Sequence, residues 1–233
     1  MKQFGGIMDF NGFTTETVRF FEELKVNNSK EWFERNRQIY EDHVKQKAIE
    51  FVIAMGTVLQ QEISKNITFE PRINKSIFRL NKDTRFSQDK SPYKSHLGIL
   101  FWEGERKKLE NSGFYFHLEP PKIMMGAGLY MLPKQLMQSY RERVAAGESG
   151  KAIKKIVENI KQPPYSVGGS HYKRIPRGYD ESSMNTDLLR HNGLWGEFNA
   201  EIPEVLFSAD LLPYCLEKFK YMAGIHHWFV KYI

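Results

Sequence analysis

The apolar residues of this 233-residue chain follow one period and then another, and that change limits the folds open to it. Phe33, Tyr40, Val44, Ala48, Phe51, Val52, Met55 and Leu59 recur close to every 3.6 residues, the spacing of one buried helix face. Between Leu97 and Met131 the period drops to two: Phe114, Phe116 and Leu118 alternate with Tyr115, His117 and Glu119. A chain that is helical, then stranded, then helical again buries its apolar faces as an α+β domain.

Turn signals divide these stretches into elements. Thr14 is placed to cap a helix running to about Lys25, with Phe20, Phe21 and Leu24 on one face. Asn27 and Asn28 break it, and Asn28 with Glu31 predicts a capping box opening a second helical region to about Ile63. That region is one long rod or two helices with a bend near Val44–Lys47. Pro71 closes it, and Ile77–Leu80 reads as a short strand. Leu97–Glu103, Gly113–Glu119 and Ile123–Met131 read as three antiparallel strands, with a turn at Glu119-Pro120-Pro121-Lys122. Gly126 and Gly128 inside the third predict a bulge or a close backbone approach. Pro133 opens a helix from Lys134 to Ala145, Gly147 and Gly150 end it, and Lys151 to Lys161 form another. Residues 163–187 read as irregular, and a last helix runs from about Ala209 towards Ile233. The expected architecture is an antiparallel β-meander packed against several long helices. Residues 1–12 form an N-terminal extension, and 13–233 a single α+β domain.

Composition excludes whole classes. Seventeen Phe, eleven Tyr and four Trp fill a core that a disordered chain lacks. No run reaches the ~18 apolar residues of a membrane span. The start of the chain has no apolar signal region, and one thiol, Cys215, forms no internal disulfide, so a cytoplasmic protein is expected. Cys215 sits among Leu211, Leu212 and Leu216 and reads as buried and inert.

The charge is concentrated. Arg72 to His96 carries seven cations against two anions, while the rest of the chain has 27 against 26. Within it lies Arg79-Leu80-Asn81-Lys82-Asp83-Thr84-Arg85-Phe86-Ser87-Gln88-Asp89-Lys90-Ser91-Pro92-Tyr93-Lys94. Arginine forks hold planar oxyanions through paired hydrogen bonds and lysines add mobile charge. Arg79, Arg85, Lys90, Lys94 and Ser87 are therefore the anion-binding candidates, and Asp83 and Asp89 the carboxylates that orient them as ion pairs. Tyr93 beside Lys90 or Lys94 is a candidate proton donor with a lowered pKa, Asp83 a candidate base, and His117 on the neighbouring sheet face an acid–base partner. The same residues also suit a structural clamp tying helices to sheet.

The string resembles the signature of a bacterial domain-of-unknown-function family, number 2461, Arg-x-x-Arg-Asp-x-Arg-Phe-Ser-x-Asp-Lys-x-Pro-Tyr-Lys, with Lys82 where that family more often has Arg. Asn27-Asn28 before Trp32-Phe33, Gly126-x-Gly128-x-Tyr130 and Lys173-Arg174-Ile175-Pro176-Arg177-Gly178-Tyr179 resemble its other elements. Lys47 stands where it often has Pro, which favours a continuous helix there. The resemblance implies no activity, substrate or catalytic residue.

Other candidates are weaker. His117 and Glu119 at i, i+2 can present two ligands to one metal, but no third is identifiable, and neither metal nor cofactor is expected. His226 and His227 are adjacent on a helix and diverge. Gly168-Gly169-Ser170-His171 is a possible phosphate cradle or plain loop punctuation. Lys173, Arg174 and Arg177 either join the first basic cluster or form a solvated surface. The leading reading is a small anionic ligand, with enzyme activity left open. A nucleic-acid partner is the alternative, a purely structural or interaction role the third, and no membrane partner is expected.

Overall fold

The computed structural model describes residues 10–85 and 88–233. The helical region comes first. Helix α1 (Thr15–Val26) is capped by Thr14, whose hydroxyl accepts from the Thr17 amide while Thr17 reaches back to the Thr14 amide. Helix α2 (Lys30–Arg35) starts one residue later than the Asn28 cap predicts: Ser29 is the cap, accepting from the Trp32 amide. Asn28 is instead spent elsewhere, as shown below.

Of the two expected forms, one rod or two helices bent near Val44–Lys47, the second is nearer, with one further break. Asn36 leaves helical geometry at φ −107°, ψ 11°, and after α3 (Arg37–Ile39) the turn Tyr40–Lys45 widens to π-helical spacing before α4 (Gln46–Glu62). A π turn keeps the chain helical while rotating the faces that follow, so Val44 and then Ala48, Phe51, Val52 and Met55 all stay buried. The helix ends at Glu62, before Pro71. Ile77–Leu80 forms no continuous strand. Ile77 makes isolated bridges to Ile73 and Ile99, and Asn81 to Tyr93.

Strands β1 (Leu97–Glu103), β2 (Ser112–Glu119) and β3 (Lys122–Leu129) form the meander that the alternation predicts. Helices α5 (Lys134–Ala145) and α6 (Gly147–Ile160) follow; Gly150 lies inside α6 and does not end a helix. The stretch expected to be irregular contains β4 (Tyr165–Ser170) and the first half of the short helix α7 (Thr186–Leu189), and β5 (His191–Glu201) comes next. Helix α8 (Leu211–Tyr232) closes the chain. The strands hydrogen-bond in the order β1-β2-β3-β5-β4 as an antiparallel sheet, so the class is α+β.

The chain folds as two compact units, each assembled from separated segments. Unit 1 holds, of the described residues, 10–85, 88–101, 115–124 and 200–216. Its core is aromatic: Phe51 packs 4.8 Å from Phe116 and 5.3 Å from Phe10, and Phe13 stacks on Phe116 at 5.8 Å. Phe10 falls within the expected extension, yet it is buried. Burying each ring contributes about 1.5–3 kcal/mol relative to exposure.

Unit 2 holds residues 102–114, 125–199 and 217–233. Helix α8 packs Phe219 on Phe114 at 5.4 Å and Phe229 on Tyr140 at 6.1 Å. Trp228 donates to the Ser149 carbonyl at 2.9 Å and Tyr140 to the Leu188 carbonyl at 3.1 Å, so these buried polar tips are satisfied. Gly128 has φ +138°, and a Cβ there would stand 2.3 Å from the Leu194 carbonyl oxygen, which is the close approach of β3 to β5.

Candidate functional site

Strand β2 places its two faces differently. Phe114, Phe116 and Leu118 are fully buried, while Tyr115, His117 and Glu119 are half-buried on the other face. In unit 1 those three polar side chains form a chain of contacts. Tyr115 Oη lies 3.0 Å from His117 Nδ1, and His117 Nε2 lies 3.3 Å from Glu119 Oε2. The other carboxylate oxygen, Oε1, accepts from Ser95 at 3.1 Å. His96 lies immediately before β1, and its ring sits 4.3 Å from that of His117 at 32°. Gly98 on β1 makes room: a Cβ there would stand 2.5 Å from Tyr115 Oη. Phe78 meets the Tyr115 ring edge-on at 5.9 Å.

The basic loop reaches this face through its C-terminal end. Lys94 donates to the Arg79 carbonyl at 3.1 Å and lies over the Phe78 ring at 5.7 Å. Burial and the nearby Arg79 charge lower the Lys94 pKa. Burial, reinforced by the His117 ring and by Lys94 and Lys82, pushes His96 down to about 4 against the opposing pull of Glu119. For Glu119 burial acts upward, but hydrogen bonds from His117 and Ser95 and the histidine charges outweigh it, so its carboxyl titrates below its ordinary value.

The remaining residues of the loop look inward to the loop itself. Arg85 grips Asp83 with Nε at 2.9 Å and Nη2 at 2.7 Å, and these bonds hold the Asp83 carboxyl down at about 2. A carboxylate held that far down is a weak base at neutral pH. Lys82 donates to Asp89 at 2.6 Å and to Ser91 at 2.7 Å, holding the Asp89 carboxyl well below its usual range. Lys90 donates to the Thr84 carbonyl at 2.9 Å. Asp83 pairs with the candidate Arg85, whereas Asp89 pairs with Lys82, which is not among the anion-binding candidates. Arg79 is exposed and makes no ion pair among the described residues. Ser87 lies outside the described residues.

Tyr93 differs from expectation. It is buried and packs 4.6 Å from Phe33, where desolvation and the Glu34 carboxylate raise its pKa; the expected lowering by a lysine does not occur. Its backbone is clamped by Asn28, whose Nδ2 donates to the Tyr93 carbonyl at 2.9 Å and whose Oδ1 accepts from the Tyr93 amide at 3.1 Å. That clamp occupies the side chain that the sequence assigns to a helix cap.

Three other expectations resolve in unit 2. Gly168 and Gly169 belong to β4: Gly168 pairs with Trp195 of β5, and a register shift falls between Gly168 and Ser170. The pair is therefore sheet backbone and not a loop cradle. His226 is buried between Ser112 at 3.1 Å and Glu103 at 3.0 Å, while His227 is exposed, so the two do diverge. Lys173, Arg174 and Arg177 are exposed on the loop after β4. In unit 1, Cys215 is buried, as expected of an inert thiol.

Sequence reasoning missed His96, Tyr115 and Ser95. One signal was present: an antiparallel β1–β2 pair puts the residues just before β1 beside the end of β2, where His117 and Glu119 lie.

No described helix is long and apolar enough to cross a membrane. A search of curated proteins finds no match. The profile of a conserved hypothetical protein family, DUF2461, matches residues 16–228. The chain belongs to that family.

Proposed function

We propose that this member of the family is a cytoplasmic protein that binds a small phosphorylated or carboxylated ligand on the polar face of unit 1. Arg79 and Lys94 hold the anion, and His117 beside them is the acid–base partner. One observation carries the reading. Lys94 donates to the Arg79 carbonyl at 3.1 Å, which sets two cationic residues side by side; burial and then the Arg79 charge lower the Lys94 pKa, and Arg79 makes no ion pair among the described residues, its charge acting at range on the Asp83 carboxylate that Arg85 already holds. Like charges brought together at a cost mark a place where an opposite charge is to be received.

Arg85 and Lys90 support the same reading from further along the loop. The Arg85–Asp83 pair is exposed, and exposed pairs are worth only about 0–1 kcal/mol, so an incoming oxyanion can take over the fork. Cytoplasmic placement is favoured by the sequence's having one cysteine, which forms no internal disulfide.

The test is a calorimetric titration with inorganic phosphate and with a small dicarboxylate. A hydrogen bond to a charged group contributes about 1.5–3 kcal/mol, so Arg79→Met and Lys94→Met each weaken binding about ten- to a hundredfold with unchanged thermal unfolding. Equal affinity in the parent and both variants contradicts the reading. An oligonucleotide that binds more tightly than phosphate, with affinity falling steeply as salt rises, puts nucleic-acid binding in its place.

A further inference from the structure

His96, His117 and Glu119 each offer one ligand atom, and the three atoms lie within 4.8 Å of one another. We infer that these side chains form a binding site for a divalent first-row transition metal, of which Zn2+ is the type, with the remaining coordination positions left to water or a ligand. This goes beyond anion binding by Arg79 and Lys94 and stands without it, because it rests on three neutral or anionic donors and not on the cations.

Three features of the geometry point to a metal. Two bonds of about 2.0–2.1 Å at a tetrahedral angle place their donor atoms about 3.3–3.4 Å apart. His117 Nε2 and Glu119 Oε2 already stand at 3.3 Å. His96 closes the triangle from the end of β1, its ring 4.3 Å from that of His117.

The groups behind the ligands are in place as well. Metal-bound imidazoles hand their other N–H to a fixed acceptor, and ligating carboxylates are themselves hydrogen-bonded. With a metal bound, Tyr115 Oη, 3.0 Å from His117 Nδ1, takes that N–H, and Nε2, which in the metal-free protein donates to Glu119, turns its lone pair to the ion. Ser95 holds the Glu119 oxygen that faces away from His117. A hydrogen-bonded strand face needs neither His96 nor this division of the two carboxylate oxygens.

The donor set decides the class of ion. Two imidazoles and one carboxylate with open positions suit Zn2+ and, among its neighbours, Fe2+. Mg2+ and Ca2+ take oxygen ligands almost throughout and are poor fits here. The site is half-buried, so an ion can reach it from solvent while part of its shell stays protein-made.

The experiment uses the full chain, stripped with a chelator and titrated with Zn2+ alone by calorimetry. A parallel titration with Co2+ is followed by visible absorption, which reports the donor set directly. One equivalent is expected to bind, undisturbed by excess Mg2+. His96→Gln and His117→Gln each weaken binding by more than about tenfold, Tyr115→Phe weakens it about tenfold through loss of the orienting contact, and His227→Gln leaves it unchanged. Thermal unfolding without metal shows which variants are folded; Tyr115→Phe and the Co2+ spectrum of the parent keep the test alive if a ligand variant is not. No Zn2+ or Co2+ binding by the parent overturns the assignment, as does equal binding by a His96→Gln/His117→Gln double variant. Phosphate titration of the metal-free protein separates the two proposals: phosphate binding without metal binding defeats this one alone, and the reverse defeats only the anion reading.

Discussion

Asn28 shows how one side chain can carry a contact between distant parts of the sequence. Its amide pairs with both backbone groups of Tyr93, 65 residues away, and so fixes the end of the basic loop against the start of α2. Asn28→Ala leaves that amide and carbonyl without partners in a part-buried setting, at a cost of about 1–3 kcal/mol. Chemical denaturation measures it, and an unchanged midpoint removes the clamp from the account. Gly98 plays a different part, since its missing Cβ is the space that Tyr115 Oη fills. Gly98→Ala is expected to swing the phenol off His117; loss of the His117 imidazole shift in an NMR spectrum reports it, with the rest of the spectrum unchanged.

At the scale of elements, what the sequence discloses depends on whether the deciding force is local. The edges of β1, β2 and β3 are legible to within two residues because alternation is a property of the strand itself. Strands β4 and β5 are hidden because Gly168, Gly169, Gly193 and Gly196 remove the side chains that would display it. The π turn at Tyr40–Lys45 has no local signature, since it changes hydrogen-bond spacing and not residue type. The site divides the same way. His117 and Glu119 are visible on one strand face, whereas His96 joins them only through sheet pairing. Two substitutions test the element assignments. Ser29→Ala removes the cap of α2 and costs about 1 kcal/mol, whereas a cap at Asn28 predicts no effect. Gly128→Ala forces a Cβ against the Leu194 carbonyl at positive φ and costs on the order of 1–3 kcal/mol. An Ala variant as stable as the parent means that β3 and β5 are not so closely apposed.

Across the whole molecule, buried histidines set the acid limit of stability. Burial lowers the pKa of His226 against the opposing pull of Glu103, with His227 adding a further lowering. His191 is lowered by burial and by Lys161, with the Gly193 backbone and Asp187 opposing. The unfolded chain protonates these rings near their ordinary value of about 6.5, while the folded chain resists until lower pH. Stability is therefore full above about pH 7 and falls as pH drops below about 6.5, before the exposed carboxylates begin to titrate. Denaturant midpoints between neutral and mildly acid pH check this; His226→Gln should flatten the slope, and a pH-independent midpoint contradicts it.

At the same scale, the charge pattern marks a region and does not distinguish among its cations. The excess of cations between Arg72 and His96 is real, but Arg85 and Lys82 pair with carboxylates of the loop, Lys90 and Lys94 donate to backbone carbonyls, and Arg79 makes no ion pair among the described residues; on the proposed reading Arg79 and Lys94 receive the anion. The most direct test of that claim is an NMR titration of the labelled, metal-free protein with inorganic phosphate, controlled by sodium chloride of matched ionic strength. Saturable shifts are predicted at the amides of Lys94, Ser95, His96 and His117, absent in Lys94→Met. Shifts that chloride reproduces, or that never saturate, contradict an anion site on this face.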